Sequence, residues 1–453
     1  MCGITGIISF DRKDVKYDLQ ESLYHLQHRG QDAFGFSIID NEKIKIVKDK
    51  GLIKPIINNL QINRGIGHVR YPTKGSNTIN EAQPLYYSGK YHNISLVHNG
   101  QIWKSEHLLN YLDKNGIKID EKITSDSAIL LSLLGYHLNC FKEINNEIIK
   151  NIILILYTIL EGSFNVICLI EGFGLICFKD QNSIRPLILG KKDNNYLISS
   201  ESISLTSLDY SIIDDIYNNE IHIFTERYDK IALDTEYKLK PCIFEWIYLA
   251  REESIMYGVN IYESRFKMGE YLSHKIRKNI SKTNLDKIDY IVPIPDTSKP
   301  CALSISKNLK IPYSESITKN RYVNRTFIMD TQDKRRKNIK RKLNVIEHLI
   351  ENKNIMIVDD SIVRGNTMKH IVNLLKKHKA KKIYIISCCP EIINENKYGI
   401  DIPYKSELIC YNKNIKEIFD VEDIIFQNLD DLKSSVKYFN SDIRDFEDSI
   451  FMK

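Results

Sequence analysis

The sequence predicts two domains of different class: an α+β domain built on antiparallel sheets, followed by an α/β domain built on a parallel sheet. One change of rhythm along the chain carries this reading. Up to about residue 235, short apolar runs are broken by turns, with few long helical patterns. After the polar stretch Asp234–Lys240, strand-like runs alternate with helical segments, the mark of repeated βαβ units. The 453 residues allow two or three domains at roughly 150 each, every one with a sizeable core. The boundary is placed so that the domains span 2–235 and 236–453.

In the first domain, examples of strand-like runs are Gly3–Phe10, Ile94–His98, Asn165–Ile170, Leu175–Lys179 and Tyr196–Ser199. Apolar residues recur at three and four positions in Leu19–Gln27 and Ser125–Leu138, which predicts helices. The strongest apolar run, Ile152–Leu160, is short of the ~18 residues a membrane span needs and reads as a buried helix. In the second domain, strands Tyr290–Ile294, Asn354–Val358 and Lys382–Cys388 alternate with helices such as Ala302–Leu309 and Thr367–His378.

Composition sets outer limits. Hydrophobic residues at 43% and charged residues at 27% are the balance of an ordinary soluble protein. A net charge of +6 is too mild to imply a nucleic-acid or membrane partner. Residues 1–10 lack the charged and apolar regions of a signal peptide, so a cytoplasmic protein is expected. The nine cysteines form no C-x-x-C pair, which argues for thiols rather than a disulfide framework or structural zinc.

The most specific stretch is "NIMIVDDSIVRGNTMKHIVNLL", residues 354–375. An apolar strand ends in Asp359 and Asp360, and a polar loop, Ser361–Thr367, leads into an amphipathic helix. A loop carrying Gly365 at a helix N-terminus presents backbone N–H groups and a positive dipole end, which suit a phosphate. The paired acids repel a phosphate but fit ribose hydroxyls or a phosphate-bound Mg²⁺.

This stretch resembles the 5-phosphoribosyl-1-pyrophosphate (PRPP) motif of type I phosphoribosyltransferases. Its "VDDSIVRG" is particularly similar to that of the glutamine PRPP amidotransferase family. The resemblance extends along the chain through "SLYHLQHRGQDAFG", "GIGHVRYPT", "HNG", "TSDSAILL", "IRPLILG", "YIVPIPDTS" and "KNRYVNRTFI". It implies an Ntn-hydrolase αββα sandwich for the N-terminal half and a type I phosphoribosyltransferase domain for the C-terminal half. The implied activity is glutamine hydrolysis coupled to amination of PRPP, the committing step of purine synthesis.

Residue by residue, the resemblance makes Cys2 the nucleophile of the glutaminase, exposed once Met1 is removed. The chemistry is coherent, because a thiol with pKa ~8.5 needs a base and the residue's own α-amine, pKa ~7.7–8.0, can serve. Asn99 and Gly100 match an oxyanion hole. Arg70 would pair with the α-carboxylate of glutamine and Asp126 with its α-ammonium, while His28, Arg29 and Gly30 match a loop beside the glutamine. PRPP would be held by Asp359, Asp360, Ser361, Val363, Arg364, Gly365, Asn366 and Thr367. One Mg²⁺ per subunit would sit with Ser298, Asp359 and Asp360. The basic stretch "DKRRKNIKRK", seven Lys or Arg between Lys334 and Lys342, follows a segment matching the family's mobile loop and suits pyrophosphate. A water-excluding path for ammonia is required, since water would protonate it.

Some positions depart from the family pattern. Asn366 stands for Thr, Asn324 for Gly, Glu252–Glu253 for Pro-Asp, Phe34 for Ala, and Gln181 and Ser183 for Pro and Gly. Asn can still donate to phosphate and accept left-handed geometry. The region around Lys397 has no cysteine and the terminal Cys-x-x-Cys is missing, so the chain resembles the branch without propeptide or iron–sulfur cluster. Purine nucleotides as feedback inhibitors and a homotetramer are further implications of the family. Two rivals are a glucosamine-6-phosphate synthase, which would lack "VDDSIVRG", and a non-catalytic PRPP-binding regulator, which would lack Cys2 or the acidic pair.

Overall fold

A computed structural model of the chain describes residues 2–55, 60–71, 79–119, 125–320, 343–400, 402, 404–411 and 414–452. Asn324 and the basic stretch ending at Lys342 therefore lie outside the described residues. The chain forms two compact units, Met1–Pro241 with Lys397–Asp401, and Cys242–Asn396 with Ile402–Lys453.

The strand Gly3–Ser9 shows how the first unit is built. All seven of its residues are buried, because both of its faces are covered. Ile7 points to the helix Lys16–Tyr24 and packs with Leu19 and Leu23, while the Thr5 and Ser22 hydroxyls meet at 2.9 Å. Ile4 and Ile8 point the other way, among Ile66, Val97, Ile167 and Leu169. Side chains alternate faces along a strand, so a strand covered twice reads as one continuous apolar run.

This strand sits at the centre of a seven-stranded antiparallel sheet. The spatial order is Ser211–Asp215, Ile188–Lys192, Asn195–Ser199, Gly3–Ser9, Arg64–Arg70, Ala33–Asp40, Lys43–Lys50. A second antiparallel sheet of six strands runs Tyr228–Ala232, Glu220–Phe224, Gly174–Lys179, Gly162–Ile170, Ile94–Ile102, Leu85–Tyr87. Its outer face is covered by helices Asp126–Leu138 and Asn146–Ile159, whose Leu130, Leu134, Ile153 and Leu156 pack on Leu96, Phe164 and Phe178. The result is a helix–sheet–sheet–helix sandwich, the αββα architecture.

Two departures from the family pattern fit this packing. Phe34 is fully buried with Phe36 under the helical layer of the first sheet. Ser183 takes a left-handed φ of 54°, the conformation a glycine would adopt more readily. The first helix begins earlier than its periodicity indicates, at Lys16, and ends at Tyr24, because Gln27–Arg29 forms a separate 3₁₀ turn. The strand expected at Ile94–His98 continues to Ile102, held by pairing of Asn99 with Asn165 and Gly100 with Phe164.

The second unit holds a parallel sheet in the order Tyr290–Pro293, Asn354–Asp359, Lys382–Ser387, Asp423–Phe426. The helix Asn366–Lys377 turns Met368, Ile371, Val372 and Leu375 inward onto Ile355, Ile357 and Ile385. In such sheets ligands bind beyond the carboxyl ends of the strands. Asp359 lies at that end.

Candidate active site

The first unit gathers one set of functional groups at the ends of its two sheets. Gly3 pairs with Val69 in the antiparallel ladder, so Cys2 lies beside Arg70. Cys2 is half-buried, its Sγ 4.0 Å from the Tyr71 carbonyl. Its own carbonyl accepts a hydrogen bond from Arg29 Nε at 3.1 Å. The Arg29 guanidinium is in turn bonded to Glu201, a fully buried carboxylate that His28 Nε2 also meets at 2.7 Å. A buried arginine so paired satisfies the charge of Glu201 and fixes the backbone that carries the thiol.

Gly30 completes this corner. A Cβ there would lie 2.6 Å from the Val69 and Arg70 backbone, so only glycine lets the loop lie flat on the strand end. Arg70 is buried, with Asp32 Oδ2 at 3.6 Å.

The second sheet brings the oxyanion candidates. His68, two residues before Arg70, lies against the backbone of His98, one residue before Asn99, so the strand ends Arg64–Arg70 and Ile94–Ile102 face each other. Burial pushes both imidazoles down from their ordinary pKa, keeping them neutral. Gln83 pins this strand: its Oε1 accepts from His98 N at 2.6 Å, and its Nε2 donates to the Ser127 hydroxyl at 3.0 Å. Asn99 is buried, and its Nδ2 has no hydrogen-bond acceptor among the described residues. A buried donor without an acceptor is costly in a resting protein and is what an oxyanion site requires. Asp126 Oδ2 accepts from Ile102 N at 2.7 Å, and its second oxygen has no hydrogen bond among the described residues.

The structure thus places Cys2, Arg29, His28 and Arg70 in one corner and links them through His68 to the strand carrying Asn99 and Gly100. Glu201 and Gln83 contact these candidates or their strand although no motif marked them. A lone Glu or Gln has no spacing signature, and only the fold shows what it touches.

In the second unit the loop after Asp359 wraps tightly. Asp359 and Asp360 are both buried, and Asp359 Oδ1 accepts from Asp360 N at 3.0 Å. Burial, with the neighbouring Asp360 charge, raises the Asp359 carboxyl well above the usual carboxylate range. Ser361 Oγ donates to Asp360 Oδ1 at 2.8 Å, and Thr297 donates to its other oxygen. Ser298 is fully buried, and its hydroxyl donates to the Ile294 carbonyl at 2.7 Å. The Val363 carbonyl accepts from Ile409 N at 3.0 Å, and Arg364 Nε pairs with Glu407 at 2.8 Å.

Gly365 caps the helix Asn366–Lys377 at φ +72°, and a Cβ there would lie 2.3 Å from Ile409 Cδ1. Glycine is required on both counts. Asn366 and Thr367 open the helix, where free N–H groups favour an anion. No cluster of three or more His, Cys, Asp or Glu suited to a metal occurs among the described residues. Two adjacent carboxylates are a partial set of the kind Mg²⁺ completes with phosphate oxygens and water.

Comparison with known proteins assigns relatives to both units. The glutamine amidotransferase domain family matches residues 68–207, and the phosphoribosyl transferase domain family matches residues 267–422. The chain is 40% identical over 469 residues to the amidophosphoribosyltransferase of Pasteurella multocida, covering 100% of this chain and 92% of that one. It is 38% identical over 475 residues to the Escherichia coli amidophosphoribosyltransferase, with the same coverage. With its Schizosaccharomyces pombe counterpart it shares 35% over 481 residues, covering 100% of this chain and 89% of the other. Among solved structures, glutamine PRPP amidotransferase from B. subtilis, complexed with ADP and GMP, matches with a TM-score of 0.83 at 27% identity. That match covers 99% of this chain and 94% of that one.

Proposed function

Because the chain belongs to the amidophosphoribosyltransferase family, enzymes of purine biosynthesis that aminate PRPP with nitrogen from glutamine, we propose how its own residues divide that work. The observation that carries the assignment is the buried Asn99 amide, without an acceptor among the described residues, on a strand linked to the Cys2 corner. Cys2 Sγ attacks the side-chain amide carbon of glutamine while the Cys2 α-amine takes the thiol proton. Asn99 Nδ2 and the Gly100 N–H donate to the oxyanion that forms; one such donor is worth ~3–4 kcal/mol of transition-state stabilisation. The amine returns the proton to the leaving nitrogen, and the C–N bond breaks to give ammonia and a thioester. Water then cleaves the thioester to glutamate and regenerates the thiol. Arg70 and Asp126 hold the α-carboxylate and α-ammonium, and Arg29, fixed by Glu201, holds the Cys2 backbone.

In the second unit the ammonia lone pair attacks C1 of PRPP. The C1–O bond breaks, pyrophosphate leaves with the electron pair, and the nitrogen loses a proton to give 5-phosphoribosylamine. The loop Ser361–Thr367 and the helix N-terminus bind the 5′-phosphate, with Val363 and Gly365 shaping it and Arg364 braced by Glu407. Asp359 and Asp360 would hold one Mg²⁺ per subunit. When bound, that ion supplies positive charge against the pyrophosphate. Their fit to a cation is supported by two buried, adjacent carboxylates, one of them pushed toward its protonated form. Ser298, whose hydroxyl donates to the Ile294 carbonyl, would complete that Mg²⁺ set through its oxygen lone pairs. By resemblance the proposal extends to a homotetramer, and the B. subtilis enzyme's complex with ADP and GMP supports purine nucleotides as regulators of this chain.

The test is isotopic. With PRPP, Mg²⁺ and glutamine labelled with ¹⁵N at the amide, the wild-type protein should place the label on the ribose C1 nitrogen. Unlabelled product or none would contradict the proposal. An Asp359→Asn, Asp360→Asn variant should form no product with either glutamine or ammonia.

A further inference from the structure

Building on Asn99 and Gly100 as the oxyanion site, we propose that the segment Lys397–Ile400 is a positioning element of the glutamine-hydrolysing centre, holding the Gly100 peptide in place. In sequence it is remote, with Trp103 and Lys397 separated by 294 residues, yet it packs within the first unit. Four observations tie it to the residues around Gly100.

The Ser163 hydroxyl accepts from Gln101 N at 3.2 Å and donates to the Tyr398 carbonyl at 2.9 Å. It therefore bridges the residue after Gly100 directly to the segment. Arg185, fully buried, donates to the same Tyr398 carbonyl, so that oxygen takes one neutral and one cationic donor. Trp103 Nε1 donates to the Lys397 carbonyl at 2.6 Å, and its ring lies 5.3 Å from that of Tyr398.

Gly399 then touches the site itself. It adopts φ +95°, and a Cβ there would sit 3.0 Å from the Gly100 oxygen and 3.1 Å from its carbonyl carbon. Gly100 is confined elsewhere as well, since its own Cβ would sit 2.0 Å from the Ser163 carbonyl. The Gly100–Gln101 peptide, adjacent to the one that carries the Gly100 N–H, is thus held between the strand Gly162–Ile170 and Gly399. Oxyanion donors act through fixed placement, and a shift of ~1 Å costs roughly 100-fold in rate.

The experiment uses the full-length enzyme with three readouts: glutamine-dependent amination, ammonia-dependent amination, and alkylation of Cys2 by iodoacetamide, which needs the thiolate but no oxyanion donor. Gly399→Val should lower kcat with glutamine roughly 100-fold, with KM within about threefold, while the other two readouts stay unchanged. Ser163→Ala should move kcat the same way and Ser163→Thr should restore it. Unchanged glutamine kcat in Gly399→Val and Ser163→Ala overturns the proposal. So does a parallel loss in all three readouts, which would mark a purely structural role. Cys2→Ala in the same assay separates the two levels: if it still uses glutamine, the assignment of the centre itself is wrong.

Discussion

Asn99 and Asp359 are each costly to the resting protein, for opposite reasons. Asn99 holds a buried donor with no acceptor among the described residues, and Asp359 holds a buried carboxyl beside a second one. Replacing Asn99 with Ala should lower glutamine-dependent kcat by about 10²–10³, with ammonia-dependent turnover intact. Asp359 makes a separate prediction about stability. Its folded pKa lies above the unfolded value of ~3.9, so the native state holds the proton more tightly. Its contribution is therefore neutral at low pH and destabilising as pH rises above the ordinary carboxylate value. Asp359→Asn should raise the Tm of the ligand-free protein at pH 7, the gain shrinking toward pH 4, while PRPP-dependent turnover is lost. A Tm gain equal at both pH values would contradict the account. At this scale the family resemblance of short motifs singled out Cys2, Asn99, Arg70, Asp126 and the acidic pair, and the structure adds that Asn99, Arg70 and both acids are buried. Glu201, Gln83 and Thr297 were not legible, because they meet their partners only through contacts distant in sequence, which leave no pattern in the chain.

Elements were legible where one periodicity governed them and less so where pairing extended them. The apolar run of Gly3–Ser9 and the helix Asn366–Lys377 follow from period and burial alone. The strand through Asn99 and Gly100 did not, since its last residues are ordered by the partner strand Gly162–Ile170 rather than by their own propensity. The edge strand Asp423–Phe426 is only four residues long and gives too short a signal. The loop that opens the helix Asn366–Lys377 depends on one backbone conformation. Gly365→Ala puts a Cβ on a left-handed residue and against Ile409, and should destabilise the protein by ~1–3 kcal/mol. It should also raise KM for PRPP in the ammonia-dependent assay. Unchanged thermal unfolding and unchanged KM would show that the loop tolerates a side chain there.

At the scale of the whole molecule, two chemistries reside in two compact units of one chain. No helix among the described residues is long and apolar enough to cross a membrane. The change of rhythm near residue 235 made two architectures legible, because antiparallel and parallel sheets demand different connections. The packing of Lys397–Ile400 with the first unit was not legible, since nothing in "KYGI" announces a partner nearly three hundred residues upstream. The division of labour makes the two nitrogen sources separable. The most direct test is the ratio of glutamine-dependent to ammonia-dependent formation of 5-phosphoribosylamine by Cys2→Ala, with PRPP and Mg²⁺ supplied. The account predicts that glutamine use disappears while ammonia use stays near the wild-type rate. Retention of glutamine use, or loss of both together, would contradict it.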